Sequence, residues 1–146
     1  MTLSLRHFGI VVKDLDRALD FYCGKLGLTV SRRMNEKGAF LDTTLAASGV
    51  KVTTVKLVAP GGSTLLELLQ FESPPPGDGG MPSLFRTGAT HFALTVQHLF
   101  ELHEVLVAAG TPFLSAPRTS PDGLARVAFC RDPEGNLIEL VEPASV

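Results

Sequence analysis

The sequence predicts an α+β fold in which two βαβββ modules form a curved mixed sheet, with the helices on its outer face and a cup inside. Three observations support this prediction. One pattern occurs twice along the chain, each copy begins with a histidine at the start of a hydrophobic strand, and each copy ends with a glutamate inside another strand. The first copy runs from His7 to Glu67, and the second runs from His91 to Glu139.

The first module follows the order strand, helix and three strands. The strand at His7 leads into a helix with Asp14 as its predicted N-cap, and Gly24 and Gly27 end that helix. Further strands are predicted at residues 28–33, 50–59 and 63–71. The segment 35–49 stays open, because Phe40-Leu41-Asp42 fits a short strand, a helical turn or a loop over a pocket.

The second module repeats this order. Its helix carries apolar residues at helical spacing and is closed by Gly110 and Pro112. The predicted strands lie at 112–116, 125–131 and 136–142, with a tight turn at 132–135 between the last two.

Length and composition fit one compact domain over residues 1–146. With 146 residues, 45% of them hydrophobic and 19% charged, the chain can bury a core of its own. We place the first module at about 3–72 and the second at about 89–143. A linker rich in proline and glycine, at about 73–88, joins them.

Strand alternation predicts where the two histidines and two glutamates point. Residues two apart in a strand share a face, and the larger apolar residues beside each histidine occupy the face expected beneath a helix. The histidines and glutamates therefore point away from the helices, into the cup. An ionised glutamate without a partner is costly in such apolar surroundings.

A divalent cation would remove that cost. Two imidazoles and two carboxylates suit Zn²⁺, Ni²⁺, Co²⁺, Mn²⁺ or Fe²⁺, and the carboxylates cancel the formal charge of the ion. A bound oxygen ligand would be polarised by the ion as by a Lewis acid. We therefore predict one divalent metal ion per site, in a metal cup whose ligands are His7, Glu67, His91 and Glu139.

Charge and hydropathy exclude other classes of partner. The net charge is −2, with 13 basic and 15 acidic residues, so we expect no nucleic-acid partner. No apolar stretch approaches the ~20 residues that span a bilayer, and the N-terminus does not resemble a signal peptide. We expect a cytoplasmic protein without membrane association, in which Cys23 and Cys130 are free structural thiols.

The repeated modules and two local motifs resemble the vicinal oxygen chelate superfamily. One motif is the helix end formed by Leu19, Phe21, Tyr22, Leu26 and Gly27, and the other is the D-P-x-G-N-x-I-E-L segment at residues 132–140. The resemblance covers nearly the whole chain and implies the paired-module fold. The superfamily includes glyoxalase I, methylmalonyl-CoA epimerase, extradiol dioxygenases, fosfomycin-modifying enzymes and metal-free drug-binding proteins. The fold alone therefore does not indicate the reaction, and the function must be inferred from the metal-ligand residues.

The ligand set resembles that of glyoxalase I, whose four ligand positions are filled by matching residue types here. This resemblance implies a metal-dependent lyase or isomerase that transfers a proton through a metal-bound enediolate, with Glu139 as the base and Glu67 as the remaining ligand. The arginine and asparagine that serve glutathione in bacterial glyoxalases are replaced by Val11 and Phe71. A more apolar or differently charged small-molecule substrate fits the cup better than glutathione.

Three alternatives stay open from the sequence. A stretch at 49–52 is similar to methylmalonyl-CoA epimerase, but the acidic residue expected near 47 or 48 is missing unless Glu36 or Asp42 substitutes. An extradiol dioxygenase needs only two histidines and one glutamate, so Glu67 argues against it. A metal-free drug- or antibiotic-binding protein of this family would generally have lost the ligands that are present here.

The resemblance also implies a homodimer. The cup closes within one chain, or the modules are exchanged so that His7 and Glu67 of one chain meet His91 and Glu139 of the other.

Several other charged side chains have possible roles outside the ligand set. Arg118 and Arg126 could hold a substrate carboxylate or phosphate. His98 and His103 fall on the second helix, outside the site. The remaining basic strand residues fit solvated strand faces, namely Arg32, Arg33, Lys51 and Lys56.

Overall fold

The computed structural model describes residues 3–62 and 65–144. The chain divides into two compact units, Met1–Asp78 and Gly79–Val146, and the division falls inside the predicted linker. Each unit contains a four-stranded mixed sheet together with one or more helices. The predicted α+β fold of two βαβββ modules is therefore confirmed.

The first sheet has the strand order β1-β4-β3-β2. Its first and last strands along the chain pair in parallel, and the other neighbours are antiparallel. β2 extends beyond the predicted end at residue 33, and residues 63–64 of the last predicted strand lie outside the described part of the chain. The strands are β1 (His7–Val11), β2 (Thr29–Lys37), β3 (Lys51–Val58) and β4 (Leu65–Ser73).

The first helix begins where the sequence predicts. α1 (Leu15–Leu19) has Asp14 as its N-cap, and the Asp14 carboxylate accepts a hydrogen bond of 2.9 Å from the Arg17 N–H. A π-helical segment, Asp20–Lys25, continues directly from α1. Buried side chains of both segments lie with the first sheet's core, and α1 contacts β4.

The segment that the sequence leaves open contains a short helix, α2 (Ala39–Thr44). Within it the Asp42 carboxylate accepts hydrogen bonds of 2.9 Å from the Gly49 N–H and 2.8 Å from the Val50 N–H. Asp42 therefore ties α2 to the start of β3, and both of its oxygens serve the fold.

The second sheet repeats the topology with the order β5-β8-β7-β6. The predicted strand at 112–116 is wrong, because Phe113 there forms an isolated bridge with Cys130. Pro112 begins this segment and Pro117 follows it, and both lack the N–H group that a sheet ladder requires. The elements are β5 (His91–Thr95), α3 (Leu99–Ala108), β6 (Arg118–Thr119), β7 (Ala125–Arg131) and β8 (Leu137–Pro143).

Each unit has its own apolar core between helix and sheet. The side chains of Leu57, Leu68 and Tyr22 in the first unit and of Leu106 and Leu140 in the second are fully buried. In the part of the chain that the structure describes, no helix is long and apolar enough to cross a bilayer.

The two cysteines are free, as predicted. Burial raises the pKa of Cys23. Burial, helped by the negative charge of Asp132, raises the pKa of Cys130 to about 12. Neither thiol is a ready nucleophile near neutral pH, because the thiolate is the reactive form.

The turn between β7 and β8 is organised by the buried carboxylate of Asp132, which is 4% exposed. One of its oxygens accepts hydrogen bonds from the Glu134 N–H at 2.9 Å and the Asn136 N–H at 2.8 Å. The other oxygen accepts from Asn136 Nδ2 at 2.9 Å. This turn fixes where β8, the strand that carries Glu139, begins.

We expect Asp132→Ala to lower the free energy of unfolding by about 2–4 kcal/mol, because two part-buried backbone N–H groups and the Asn136 amide lose their acceptor. Urea denaturation measures the change. Glu104→Ala, at an exposed position of α3, is the control and should change stability by no more than about 0.5 kcal/mol. Equal stability of the two variants would contradict this role for Asp132.

The start of α3 is capped from a distant strand. His98 adopts a left-handed conformation (φ 54°) and gives no side-chain cap. Instead, the Glu142 carboxylate of β8 accepts hydrogen bonds from the His98 and Leu99 N–H groups and from Arg126. Burial raises the pKa of Glu142, but these hydrogen bonds and the Arg126 charge outweigh burial, so the net pKa is lowered.

Because the pKa of Glu142 is lower in the folded chain, its stabilising contribution is complete above the unfolded-state pKa of about 4.3 and is lost as the pH falls further. We expect Glu142→Gln to be less stable than the wild type at pH 7, and to lose less stability between pH 5 and pH 3. Thermal unfolding across that pH range measures the difference. Parallel pH profiles for the two proteins would refute the assignment.

Candidate metal centre

The parallel pairing of β1 and β4 brings the first histidine and glutamate together. Gly9 lies opposite Glu67 in this pairing, and His7 lies two residues before Gly9, opposite Leu65. Because residues two apart in a strand share a face, His7 and Glu67 point to the same side of the sheet. We call this side, which also carries Val11 and Lys56, the first histidine face.

The pairing of β5 and β8 repeats this arrangement in the second unit. Ala93 lies opposite Glu139, and His91 lies opposite Leu137. We call the side of the second sheet that carries His91 and Glu139 the second histidine face. Within each sheet, the histidine and the glutamate therefore share a face, as strand alternation predicts.

The two histidine–glutamate pairs have nearly the same geometry. His7 Nε2 lies 3.5 Å from Glu67 Oε2, and His91 Nε2 lies 3.4 Å from Glu139 Oε2. These distances exceed the 2.7–3.2 Å typical of N–H···O hydrogen bonds. Each unit thus places one imidazole nitrogen beside one carboxylate oxygen without a short hydrogen bond between them.

Each glutamate lies between a small residue and a large one in the neighbouring strands. Gly9 of β1 and Lys56 of β3 lie opposite Glu67, and Ala93 of β5 and Phe129 of β7 lie opposite Glu139. A Cβ at Gly9 would lie 3.4 Å from Leu69 Cδ1, which is ordinary contact rather than a clash. The small residues mean that neither β1 nor β5 places a large side chain directly opposite the glutamate.

The second ring nitrogens of the histidines have different surroundings. Thr90 Oγ1 lies 2.9 Å from His91 Nδ1, and the Phe129 ring packs edge-on against the His91 imidazole at 5.3 Å. His7 Nδ1 is buried and has no hydrogen-bond partner among the described residues. A metal-bound histidine commonly donates its other N–H to a nearby acceptor, and the His91 side chain has that support.

The two glutamates also differ. Lys56 Nζ lies 3.8 Å from Glu67 Oε2, the same oxygen that faces His7. The side chain of Glu67 is 12% exposed, whereas that of Glu139 is 25% exposed. Glu67 is therefore the more enclosed of the two, and it has a lysine as well as a histidine beside it.

Each pair fits two neighbouring ligands of one metal ion. Nitrogen and oxygen ligands about 2.0–2.2 Å from a shared ion lie about 3–3.5 Å from each other, which matches both pairs. Among the described residues, no group of three or more His, Cys, Asp or Glu side chains is assembled for a metal ion. Joining all four predicted ligands in one centre therefore stays a prediction.

The two arginines considered as anion-binding groups, Arg118 and Arg126, lie on opposite faces of the second sheet. Arg126 points to the opposite side of the second sheet, where its guanidinium pairs with Glu142 at 3.2 Å and lies over the Phe100 ring at 5.3 Å. Arg126 therefore lies on the face opposite Glu139 and is paired with Glu142, which gives no support to the prediction that it holds a substrate carboxylate or phosphate. Arg118 lies opposite Val127, on the second histidine face, and is exposed.

His98 and His103, which the sequence leaves out of the predicted ligand set, do not belong to either histidine–glutamate pair. His98 is exposed and precedes α3. His103 of α3 packs edge-on against Phe113, with ring centroids 4.5 Å apart.

The acidic residues considered as second proton-transfer groups are not beside Glu67. Asp42 holds two backbone N–H groups. Glu36 is on the first histidine face, where it accepts a hydrogen bond of 2.9 Å from Thr54, but it pairs with Val52, four residues from Lys56 along β3. At about 3.3 Å per residue this places Glu36 about 13 Å further along the sheet.

Two neighbours of the candidate ligands were missed from the sequence. Lys56 contacts Glu67 because the register of β3 and β4 puts them opposite each other. Thr90 reaches His91 because the two are adjacent at the start of β5. If the residues of β3 and β4 are counted outward from the short connection at 59–64, Lys56 falls opposite Glu67, so this contact could have been predicted. No sequence signal marks Thr90 as a partner of His91.

Comparison with known proteins gives consistent results. Residues 4–140 match the family model of the Glyoxalase/Bleomycin resistance protein/Dioxygenase superfamily. A probable lactoylglutathione lyase of Synechocystis sp. is 30% identical over 143 residues, which are 98% of each chain.

Two solved structures show the same fold. A glyoxalase family protein from Bacillus cereus superposes with a TM-score of 0.89 at 25% identity, covering 99% of this chain and 97% of the other. The trypanothione-dependent glyoxalase I of Leishmania major superposes with a TM-score of 0.64 at 27% identity, covering 97% of this chain and 87% of the other. The chain belongs to the Glyoxalase/Bleomycin resistance protein/Dioxygenase superfamily, with the vicinal oxygen chelate fold.

Proposed function

We propose that this chain is a divalent-metal-dependent lyase or isomerase of the glyoxalase I type, which transfers a proton on a small oxygen-bearing substrate. The observation that carries the proposal is the repeated histidine–glutamate pair, with N–O distances of 3.5 and 3.4 Å on equivalent strands of the two units. The similarity to a probable lactoylglutathione lyase over 98% of the chain supports the same reaction class.

The proposed centre uses both pairs. A zinc site generally has at least three protein ligands, so the two donors of one unit are too few. His7 and Glu67 would combine with His91 and Glu139 of the same chain, or with those of a second chain in a homodimer with exchanged modules. The same four residues form the centre in either arrangement, and the proposed setting is a cytoplasmic protein.

The bound ion, Zn²⁺, Ni²⁺, Co²⁺, Mn²⁺ or Fe²⁺, would polarise a substrate oxygen and so acidify the adjacent C–H bond. Glu139 would accept the proton from that carbon and return it to the neighbouring carbon. The assignment rests on the contrast between the glutamates: Glu139 is more exposed, whereas Lys56 and His7 both approach the Glu67 carboxylate. Glu67 would therefore remain in place while Glu139 moves the proton.

The first histidine face gives little support for recognition of glutathione in the bacterial manner. Val11 and Phe71 occupy the positions where an arginine and an asparagine would be needed, and neither can pair with a carboxylate. Val11 is 47% exposed, so an apolar surface is presented there.

Three alternative functions have weaker support. An epimerase of the methylmalonyl-CoA type would need a second acidic group near the first, and Glu36 and Asp42 do not supply it. An extradiol dioxygenase would need the Glu67 position free of a fourth ligand. A metal-free binding protein, as in the drug-resistance branch, would leave the two matched pairs unexplained.

The purified protein should contain close to one divalent ion per chain after loading with Zn²⁺, Ni²⁺, Co²⁺, Mn²⁺ or Fe²⁺ and dialysis. His91→Ala should lose most of the bound ion, because one of four ligands is removed. Elemental analysis measures the metal content. His98→Asn is the control, because it removes an exposed histidine at a left-handed position that asparagine tolerates.

Absence of bound metal under all loading conditions would refute the proposed enzyme. The fold would then serve as a metal-free binding protein. Full occupancy in a monomeric species would instead refute exchange of modules between chains while leaving the metal centre intact.

Glu139→Gln should slow proton transfer by about 10²–10⁴-fold and leave the metal content within about twofold of the wild type, because the amide oxygen can still coordinate but cannot act as a base. The reaction of methylglyoxal with 2-mercaptoethanol or glutathione, followed by NMR of the thioester product, measures the rate. Glu104→Gln, on the exposed side of α3, is the control. Undiminished turnover in Glu139→Gln would refute its role as the base.

A further inference from the structure

We infer that Lys56 and Arg32 form an anion subsite beside the proposed metal centre, and that the substrate carries a carboxylate which this subsite binds. This inference rests on the proposed function and narrows its substrate class to small oxygen-bearing anions. It depends on the register of three adjacent strands in the first unit.

The register places the two cations and the glutamate in one row. Lys56 of β3 lies opposite Glu67 of β4, and Arg32 of β2 lies opposite Lys56 on its other side. Directly opposed residues share a face, so all three are on the first histidine face. The row therefore runs from the candidate metal ligand outward through two basic residues.

Two like charges directly opposed across neighbouring strands are unfavourable unless an anion accompanies them. Lys56 has Glu67 at 3.8 Å, and among the described residues Arg32 makes no ion pair. Glu36, the other carboxylate of this face, is engaged by Thr54 and lies further along the sheet. Lys56 and Arg32 therefore carry more positive charge than Glu67 balances, even before a metal binds.

A bound metal increases this shortage. The ion, Lys56 and Arg32 together carry four positive charges, whereas Glu67 and Glu139 supply two negative charges. The Glu67 oxygen that faces Lys56 is also the oxygen that faces His7, so the ion would compete with Lys56 for it. The Lys56 side chain is only 22% exposed, so water solvates the released ammonium incompletely.

A carboxylate of the substrate would restore the balance. It would accept hydrogen bonds from the lysine and, in a planar bidentate fashion, from the guanidinium of Arg32. Free 2-oxo or 2-hydroxy acids have such a group, and so do thiol conjugates of glutathione. Lys56 and Arg32 would thus select charged substrates on a face where Val11 and Phe71 are apolar.

The test uses oxalate as the anionic probe and oxamide as its neutral counterpart, with binding measured by calorimetry at low salt. In Mn²⁺-loaded protein, Lys56→Met should weaken oxalate binding about tenfold and leave oxamide binding unchanged. The same variant should bind Mn²⁺ at least as tightly as the wild type, because a neighbouring positive charge is removed. Lys51→Met, which removes an exposed lysine from the opposite face of the same strand, is the control.

A second set of binding measurements, made without metal, tests the anion subsite independently of the proposed metal centre. Glu67→Gln frees Lys56 of its carboxylate partner, so it should bind oxalate at least about fivefold more tightly than the metal-free wild type. The double variant Glu67→Gln/Lys56→Met should lose that gain. Lys56→Arg should retain oxalate binding, and circular dichroism and thermal unfolding check that each variant is folded.

The outcomes are distinct. Oxalate binding that does not depend on Lys56 in either arm would overturn the anion subsite, even if the metal centre is real. A Lys56-dependent gain in Glu67→Gln without any metal binding would support the subsite and overturn the proposed enzyme. Stronger Lys56-dependent binding of S-methylglutathione than of oxalate would support the subsite and assign the carboxylate to a thiol conjugate.

Discussion

The parallel pairing of the first and last strands within each unit is the constraint on which the candidate site depends. Parallel neighbours cannot be joined by a tight turn, so the chain passes through a helix and two antiparallel strands before the last strand returns beside the first. That path brings His7 to Glu67 and His91 to Glu139 despite their separation in sequence. The alternation of side chains then puts each histidine on the same face as its glutamate. The helices pack against the opposite face and exclude water from it.

The two units repeat this arrangement without being equivalent. Glu67 is enclosed and approached by both Lys56 and His7, whereas Glu139 is more exposed. His91 has Thr90 and Phe129 beside its ring, whereas His7 Nδ1 has no partner among the described residues. Under the proposed function, such differences would allow Glu67 to hold the ion while Glu139 takes part in proton transfer. A duplicated sequence thus yields two histidine–glutamate pairs with different surroundings.

Local patterns were sufficient to predict most of the fold and the directions of the four candidate ligands. The repeat, the Asp14 cap and the turn at Asp132 depend on residues close together in sequence, and the structure agrees with each. Long-range features were not predictable in the same way. Lys56 became a neighbour of Glu67 through the register of β3 and β4, and Arg126 became a partner of Glu142 through the register of β7 and β8. Whether all four ligands share one ion depends on assembly, which no local pattern encodes.

The connection at 59–64 between β3 and β4 gives the fold a way to change its chemistry. Its length sets which residue of β3 stands opposite Glu67, whereas the pairing of β1 with β4 does not involve it. A register shift of one residue would turn Lys56 to the other face and bring a neighbour into its place. Insertions or deletions in this connection could therefore exchange the charge beside the carboxylate while the histidine and glutamate stay unchanged. Selectivity could then diverge among descendants of this chain faster than the residues of the proposed metal centre.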